Sequence, residues 1–317
     1  VDEMSRRHEA ERGRYEAELE AAQTQASTVR SIASAAAHEI GNATRGIDGA
    51  GIRLEDALRL GDTDAARSEL EKVRESTRRL AGYTDQLGSL KRAFASSGED
   101  ADKEMKVINL CQLLRDTEER YVPGLRAASY SALPSEVKEA VSFSFVYPSS
   151  ELCIKANPGE TSSIIENLVK NAYEAILERY MKTLNKHLDD VIITKYDFSD
   201  LTPEQTVSET RLFHESDAYT SLFTEGKAGS IYVQLDAADE SASLTVRDDG
   251  VGMDEKTKAK IFEGGFTQKT VRSSGAQGLG MGLATVQVIV QRYHGTISVE
   301  SAVNVGTTFT VQLPLMK

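Results

Sequence analysis

Four stretches of this 317-residue chain set amides, carboxylates, glycines and lysines at spacings that suit one phosphate-bearing ligand. In "ENLVKNAYEA", Asn167, Lys170, Asn171 and Glu174 recur at three and four residues and so share one face of a helix. Ile164, Ile165, Leu168, Val169 and Ala172 supply the buried stripe of that helix, which leaves the amide face to look into a site. In "VRDDGVGMD" a strand ends at Asp248, a carboxylate able to accept a hydrogen bond from an exocyclic amine. Gly250 and Gly252 beyond it are expected to let a ligand reach the backbone. In "GLGMGLA", Gly278, Gly280 and Gly282 precede a helix, where successive backbone N–H groups make an anion site. Lys269, at the end of "IFEGGFTQK", is a mobile cation within reach of a terminal phosphate.

A fifth stretch, "AAAHEIGNATRGIDGAG" at residues 35–51, carries different chemistry. It places His38 and Glu39 at the head of a run holding Gly41, Gly46, Gly49 and Gly51, each costing about 1 kcal/mol of helix stability against alanine. At 100° per residue, His38 lies about 200° from Ala36 and from Ile40, so it points away from their seam. Asn42, one turn on, shares its face.

The elements that must position these groups fall into two units. From Tyr15 a 4-3 seam runs through Leu19, Ala22, Ala26, Val29, Ala33, Ala36 and Ile40, and on through Ile47 and Leu54. Gly61 reads as a helix stop and Asp62 or Thr63 as the next cap. The seam then restarts as Ala66, Leu70, Val73, Thr77, Leu80, Thr84 and Leu87, with Phe94 beyond. Two long helices with a short polar turn make an antiparallel hairpin, and a hairpin with one apolar stripe per helix is expected to dimerise into a four-helix bundle. After a polar linker the periodicity changes. "VSFSFVY", "SIYVQLD", "SLTVRDD", "GTISVES" and "GTTFTVQLP" read as strands, and "ETSSIIENLVKNAYEAILERYMKTL" as a helix, so residues 105–317 are expected to form an α+β sandwich on a mixed sheet. Residues 188–228 fit neither pattern.

Together the motifs resemble those of the sensor histidine kinases, whose ATP-binding domain shares its fold with the gyrase-type ATPases. "ENLVKNAYEA" is similar to that family's asparagine box, "DDGVG" to its DxGxG box, "IFEGGFTQK" to its phenylalanine box and "GLGMGL" to its second glycine box. "AAAHEIGN" resembles its phosphoacceptor box. The resemblance runs from about residue 30 to the C-terminus, with residues 188–228 outside it as an atypical insertion. It implies a signalling coiled-coil helix over residues 1–29, a dimerisation and histidine-phosphotransfer hairpin over 30–95, a linker over 96–104 and an ATP-binding catalytic domain over 105–317. It implies Mg²⁺ at Asn171, the adenine amine at Asp248, and a phosphate path along Asn167 and Lys170. Gly250, Gly252, Lys269, Gly278, Gly280, Met281, Gly282 and Leu283 complete the ATP-binding set, with Thr307 of "VGTTF" supporting adenine through water. It further implies phosphorylation of His38 with Glu39 as its acidic partner, and Asn42 positioning a water that hydrolyses a phosphorylated response-regulator receiver domain. The family often has proline at the place of Ala43; here the four glycines are expected to supply the same bend, or in part close helix packing.

Composition narrows the partners. A net charge of −12 argues against binding nucleic acid, and no apolar run approaches the roughly 18 residues of a membrane span. Cys111 and Cys153 alone cannot build a disulfide framework or a zinc site, which fits a reducing cytoplasm. The chain opens at Val1 in what reads as mid-helix, so an upstream sensor domain is expected. Two other functions compete. A gyrase- or chaperone-type ATPase would carry a glutamate where Asn167 stands, and Glu166 is turned about 100° off that face. A non-catalytic scaffold would not need Asn171, Asp248 and both glycine boxes intact.

Overall fold

The protein is described by a computed structural model at residues 12, 26, 30, 33–34, 36–38, 40–95, 105–128, 135–191, 228–263 and 282–316. Helix α1 (residues 36–38 and 40–60) turns into helix α2 (Thr63–Ala95) through Gly61, whose φ is 72°. Asp62 N–H donates to the Ala57 carbonyl at 3.0 Å, and Asp62 Oδ1 accepts from Ala65 N–H at 2.9 Å, so the stop and the cap are where the sequence places them. The helices run antiparallel: Arg53 Nε donates to Glu69 Oε2 at 3.0 Å, and a Cβ on Gly46 would stand 3.3 Å from Ser76 Oγ.

Alanine, not the larger apolar residues, fills the seam of this hairpin. Ala36, Ala43, Ala50 and Ala57 are buried at seven-residue steps, with Ala66 buried on α2, while Ile40, Ile47 and Leu54 are half-covered. Small side chains let the helix axes approach, and the longer ones flank the contact. Two expectations are corrected here. Leu70 is 38% exposed, and Glu69 takes the inner place, 8% exposed, gripped by Arg53 and by Lys72 at 2.6 Å. The Lys72 hydrogen bond, then that of Arg53, holds the Glu69 carboxyl below its ordinary range against the opposing effect of burial. Thr77 and Thr84 are exposed, their hydroxyls donating to the carbonyls of Val73 and Leu80. The backbone stays helical through all four glycines of α1, and only Gly46 abuts α2.

The second unit is the expected α+β sandwich. Strands β2 (Val141–Val146), β4 (Gly229–Ala238), β5 (Ser241–Asp248), β6 (Thr296–Ala302) and β7 (Gly306–Pro314) form a five-stranded sheet in the order β2-β4-β5-β7-β6, parallel only at β2–β4. All five were legible as alternating segments. Two four-residue strands, β1 (Lys106–Asn109) and β3 (Cys153–Ala156), pair separately and are too short to show a period. Short helices α3 (Leu110–Asp116), α4 (Val122–Ala128) and α5 (Ser135–Glu139) lie between β1 and β2, a π-helical turn at Thr117–Tyr121 joining the first two.

Helix α6 (Pro158–Val191) starts at a proline, with Asn157 Oδ1 accepting from the amides of Gly159 and Glu160 at 2.9 and 3.2 Å. Its stripe of Ile164, Leu168, Ala172 and Ile176 joins Val233 and Val246 of the sheet and Val286 and Ile289 of helix α8 (Gly282–Arg292) in one core. Helix α7 (Glu255–Lys258) is one turn after β5, capped by Asp254. Ala284 of α8 leaves this core and packs with Ala36 and Ala43 of α1, beside Ile40, Leu80 and Leu87.

Ala50 is fully buried between the hairpin helices. Ala50→Leu should destabilise the hairpin by about 1–3 kcal/mol through overpacking. Ile52→Ala, at a side chain 64% exposed, should change little. Thermal unfolding followed by far-UV circular dichroism compares the two.

Candidate functional site

Two segments close on one stretch of α6. A Cβ on Gly282, at the start of α8, would stand 2.7 Å from Asn167 Oδ1, and one on Gly250 would stand 2.6 Å from the Ala175 carbonyl carbon. Val251 N–H donates to the Ala175 carbonyl at 3.2 Å, so the loop after β5 is stitched to the helix. Asn171 lies midway. Eight residues of helix span about 12 Å, which sets the length of the floor between the two contacts.

Asp248 ends β5 at 4% exposure. Its Oδ1 accepts from Gly250 N–H at 2.8 Å, and Thr307 of β7 is its register partner. Burial pushes its pKa up to about 7; the charge of Asp249 adds to the rise, and backbone hydrogen bonds from Gly250 and Thr307 oppose it. Arg179 Nη1 on α6 donates to the Asp249 carbonyl, and Asp249 Oδ1 accepts from Ser230 N–H at 3.0 Å. Thr307 Oγ1 lies 3.0 Å from Ser301 Oγ, which donates to the Gly306 carbonyl at 3.0 Å and accepts from Met253 N–H at 2.8 Å.

The glycines here have a packing reason of their own. Gly252 has φ 62°, and a Cβ on it would overlap the Ala302 carbonyl oxygen. Gly306 has φ 123°, and its Cβ would overlap the Asp248 carbonyl oxygen. Gly250 is pressed between Ala175 and the Asp248 carboxylate. Protein fills the space that side chains would occupy, so these glycines serve packing and backbone conformation.

The amide face of α6 is half-buried. Asn167 Nδ2 donates to the Ser163 carbonyl at 2.8 Å, and Lys170 Nζ lies 3.9 Å from Glu174 Oε1. Glu174, expected on the open face, is buried. Burial lowers the Lys170 pKa and raises that of Glu166. Asn171 Nδ2 is buried with no hydrogen-bond partner among the described residues. The structure thus brings together Asn167, Lys170, Asn171, Asp248, Gly250, Gly252, Gly282 and Thr307, with Leu283 half-buried beside Gly282. Glu39, Lys269, Gly278, Gly280 and Met281 lie outside the described residues. His38 and Asn42 stand apart on α1, exposed, with Asn42 Nδ2 3.2 Å from His38 Nδ1. Sequence reasoning missed Arg179 and Ser301, whose partners are distant in the chain and leave no local pattern.

Residues 212–317 match the family of histidine kinase-, DNA gyrase B-, and HSP90-like ATPases. The heme sensor protein HssS of Staphylococcus saprophyticus is 36% identical over 118 residues, covering 36% of this chain and 24% of that protein. The sensor histidine kinase RppB of Synechocystis sp. is 37% identical over 87 residues, covering 27% of this chain and 19% of its own length. The matched stretch spans less than a quarter of either relative. Among solved structures, a histidine kinase ThkA in complex with the response regulator TrrA covers 88% of this chain and 60% of that one, with a TM-score of 0.52 at 19% identity. The Acinetobacter baumannii histidine kinase AdeS covers 88% of this chain and 98% of that one, with a TM-score of 0.50 at 12% identity. These two likenesses are of fold.

Because the Asp248 carboxyl titrates near 7 when folded and near 4 in an open chain, the folded state holds that proton more tightly. Its contribution to stability falls as pH rises between those values and is lost above 7. Asp248→Asn keeps an oxygen for Gly250 N–H and removes the buried charge. The variant should melt at least about 5 °C higher than the parent at pH 8, with the gap narrowing on acidification and closing only near pH 4, by calorimetry.

Proposed function

From the match of residues 212–317 to the histidine kinase-, DNA gyrase B-, and HSP90-like ATPases, we propose that this chain is an ATP-dependent protein histidine kinase that phosphorylates its own His38 and passes the phosphoryl group to a response-regulator aspartate. The supporting observation is one helix that touches both halves of such a reaction. Helix α8 begins at Gly282 against Asn167 of the site, and two residues later Ala284 packs on Ala36 and Ala43, which bracket His38 on α1.

Asp248 and Thr307 take the adenine end of the nucleotide, the carboxylate accepting from the exocyclic amine. Asn167 and Lys170 line the phosphates, together with Lys269 and the segment Gly278, Gly280, Met281, Gly282 and Leu283. Asn171 would hold Mg²⁺ through its Oδ1; its buried Nδ2, which has no partner among the described residues, is a donor left for a phosphate oxygen or water. Among those residues no cluster of three His, Cys, Asp or Glu could hold a metal alone, as suits an ion that takes most of its oxygens from phosphate and water. When bound, that ion supplies neutralisation of phosphate charge. The protein's own part is positioning. Asn167 has an amide where a hydrolytic ATPase needs a carboxylate, so water has no base at that place, and the γ-phosphoryl group is kept for the imidazole. His38 points about 200° away from Ala36, to which Ala284 is docked, so transfer follows release of that docking or uses a second chain.

Ile40, Ile47 and Leu54 are half-covered and Ile52 and Leu58 are 64% exposed in a single hairpin, which supports a homodimer closing the four-helix bundle. A receiver domain is the acceptor, with Asn42 orienting the water that later dephosphorylates it. No described helix is long and apolar enough to cross a membrane; a cytoplasmic place for the chain is part of the same proposal.

His38→Gln should abolish labelling from γ-³²P-ATP while binding of an ATP analogue survives. Asp248→Asn should weaken that binding at least 10²-fold, by setting an amide donor against the adenine amine. Titration calorimetry and acid-labile label on the chain are the measurements. Full labelling of His38→Gln would overturn the assignment.

A further inference from the structure

Arg45 has no place in the scheme above, yet it is joined to His38 through one intermediate. Its Nη2 donates to Asn42 Oδ1 at 2.6 Å, and Asn42 Nδ2 lies 3.2 Å from His38 Nδ1. A guanidinium only donates, so the amide atom it grips is the oxygen. That turns the amide nitrogen, which also only donates, toward the imidazole. His38 Nδ1 therefore accepts, and in the neutral ring the single hydrogen belongs to Nε2. The guanidinium lies along Gly41, where a Cβ would stand 3.4 Å from Arg45 Nη1, in ordinary van der Waals contact.

We propose that Arg45 is a positioning residue that holds His38 in the Nε2–H tautomer and so restrains phosphoryl transfer to it; the proposal rests on His38 being the acceptor. Nε2 is the ring nitrogen farthest from the helix and the one a nucleotide carried on another domain meets first. To attack, it must present a lone pair. That pair forms the N–P bond as the bond from γ-phosphorus to the bridging oxygen breaks, and the electrons of the broken bond leave with ADP. The ring hydrogen stays on Nδ1 throughout, and the phosphorylated ring carries the positive charge. With the amide nitrogen of Asn42 against Nδ1, this reactive tautomer sets hydrogen against hydrogen. Turning the amide over would cure that clash, its oxygen accepting from Nδ1–H, but would set the amide NH₂ against the guanidinium. Arg45 thus opposes the reactive tautomer through Asn42.

The test uses the whole chain labelled with ¹⁵N-histidine, in alkaline buffer where imidazoles are neutral, with the His38 signals identified by their loss in His38→Gln. Long-range ¹H–¹⁵N correlation spectra report which ring nitrogen carries the hydrogen. Wild type should show His38 as Nε2–H. Arg45→Met should move population to Nδ1–H and raise the initial rate of His38 labelling by about fivefold, the equilibrium effect of one hydrogen bond. Arg45→Lys, still a donor, should stay near wild type in both. Hydrogen on Nδ1 in wild type, an unchanged spectrum in Arg45→Met, or a shifted spectrum with labelling unchanged or slower would each overturn the proposal. A shifted spectrum with no label on any protein would uphold the hydrogen-bond chain and overturn the kinase reading, so the two fail separately.

Discussion

A methyl group on Gly250 would sit 2.6 Å from the backbone of Ala175, and one on Gly252 would run into the carbonyl of Ala302, so the loop after Asp248 is clamped between α6 and the β6–β7 turn with no room for a side chain. The clamp is closed by Val251 N–H on the Ala175 carbonyl and by Asn304 N–H on the Val251 carbonyl at 2.7 Å, with Arg179 holding the Asp249 carbonyl. This close approach of backbones buries the Asp248 carboxyl and lifts its pKa to about 7. It also sets Asp248 at one end of the α6 floor whose other end meets Gly282. Were the loop to relax, the carboxyl would hydrate, and the distance between the two ends of the site would no longer be set.

Buried charge is handled in two ways in this molecule, and the contrast marks the site. Glu160, 1% exposed, accepts from Arg292 Nη1 at 2.7 Å and from the Tyr293 hydroxyl, so its burial is compensated within the fold and ties α8 to the start of α6. Glu69 is likewise met by Arg53 and Lys72. Among the described residues Asp248 faces no cation that could offset its burial; its charged form is opposed by Asp249 and supported by backbone amides. Asn171 keeps a buried amide nitrogen without a partner among the described residues. Asp248 and Asn171, uncompensated where Glu160 and Glu69 are met by cations, are groups that a ligand could complete.

The hairpin and the sandwich meet through alanine. Ala36 and Ala43 leave shallow places along α1 into which Ala284 fits, while His38 is carried on the opposite side of the same helix. A contact made of methyl groups buries little area and is correspondingly weak. On the proposed reading, such a weak contact suits a docking that opens for transfer to His38.

Period and local chemistry were legible in the sequence alone. Alternation located β2, β4, β5, β6 and β7, the Gly61–Asp62 pair located the turn of the hairpin, and three-and-four spacing put Asn167, Lys170 and Asn171 on one face of α6. Each of these depends on neighbours within a few residues, which a single strand or helix expresses by itself. Tertiary structure decided what depends on meetings between distant segments. Nothing near Gly252 or Gly306 in sequence tells that their missing side chains yield to Ala302 and Asp248, and nothing near Leu70 tells that Glu69 turns inward to Arg53 on the other helix. The alanine seam was hidden because burial of a methyl group has almost no pattern of its own; it matters only when a second helix arrives. The grip of Arg45 on Asn42 is local, but its meaning is not in the spacing: that the amide oxygen faces the guanidinium, and the nitrogen the imidazole, is a matter of side-chain orientation, which coordinates alone set.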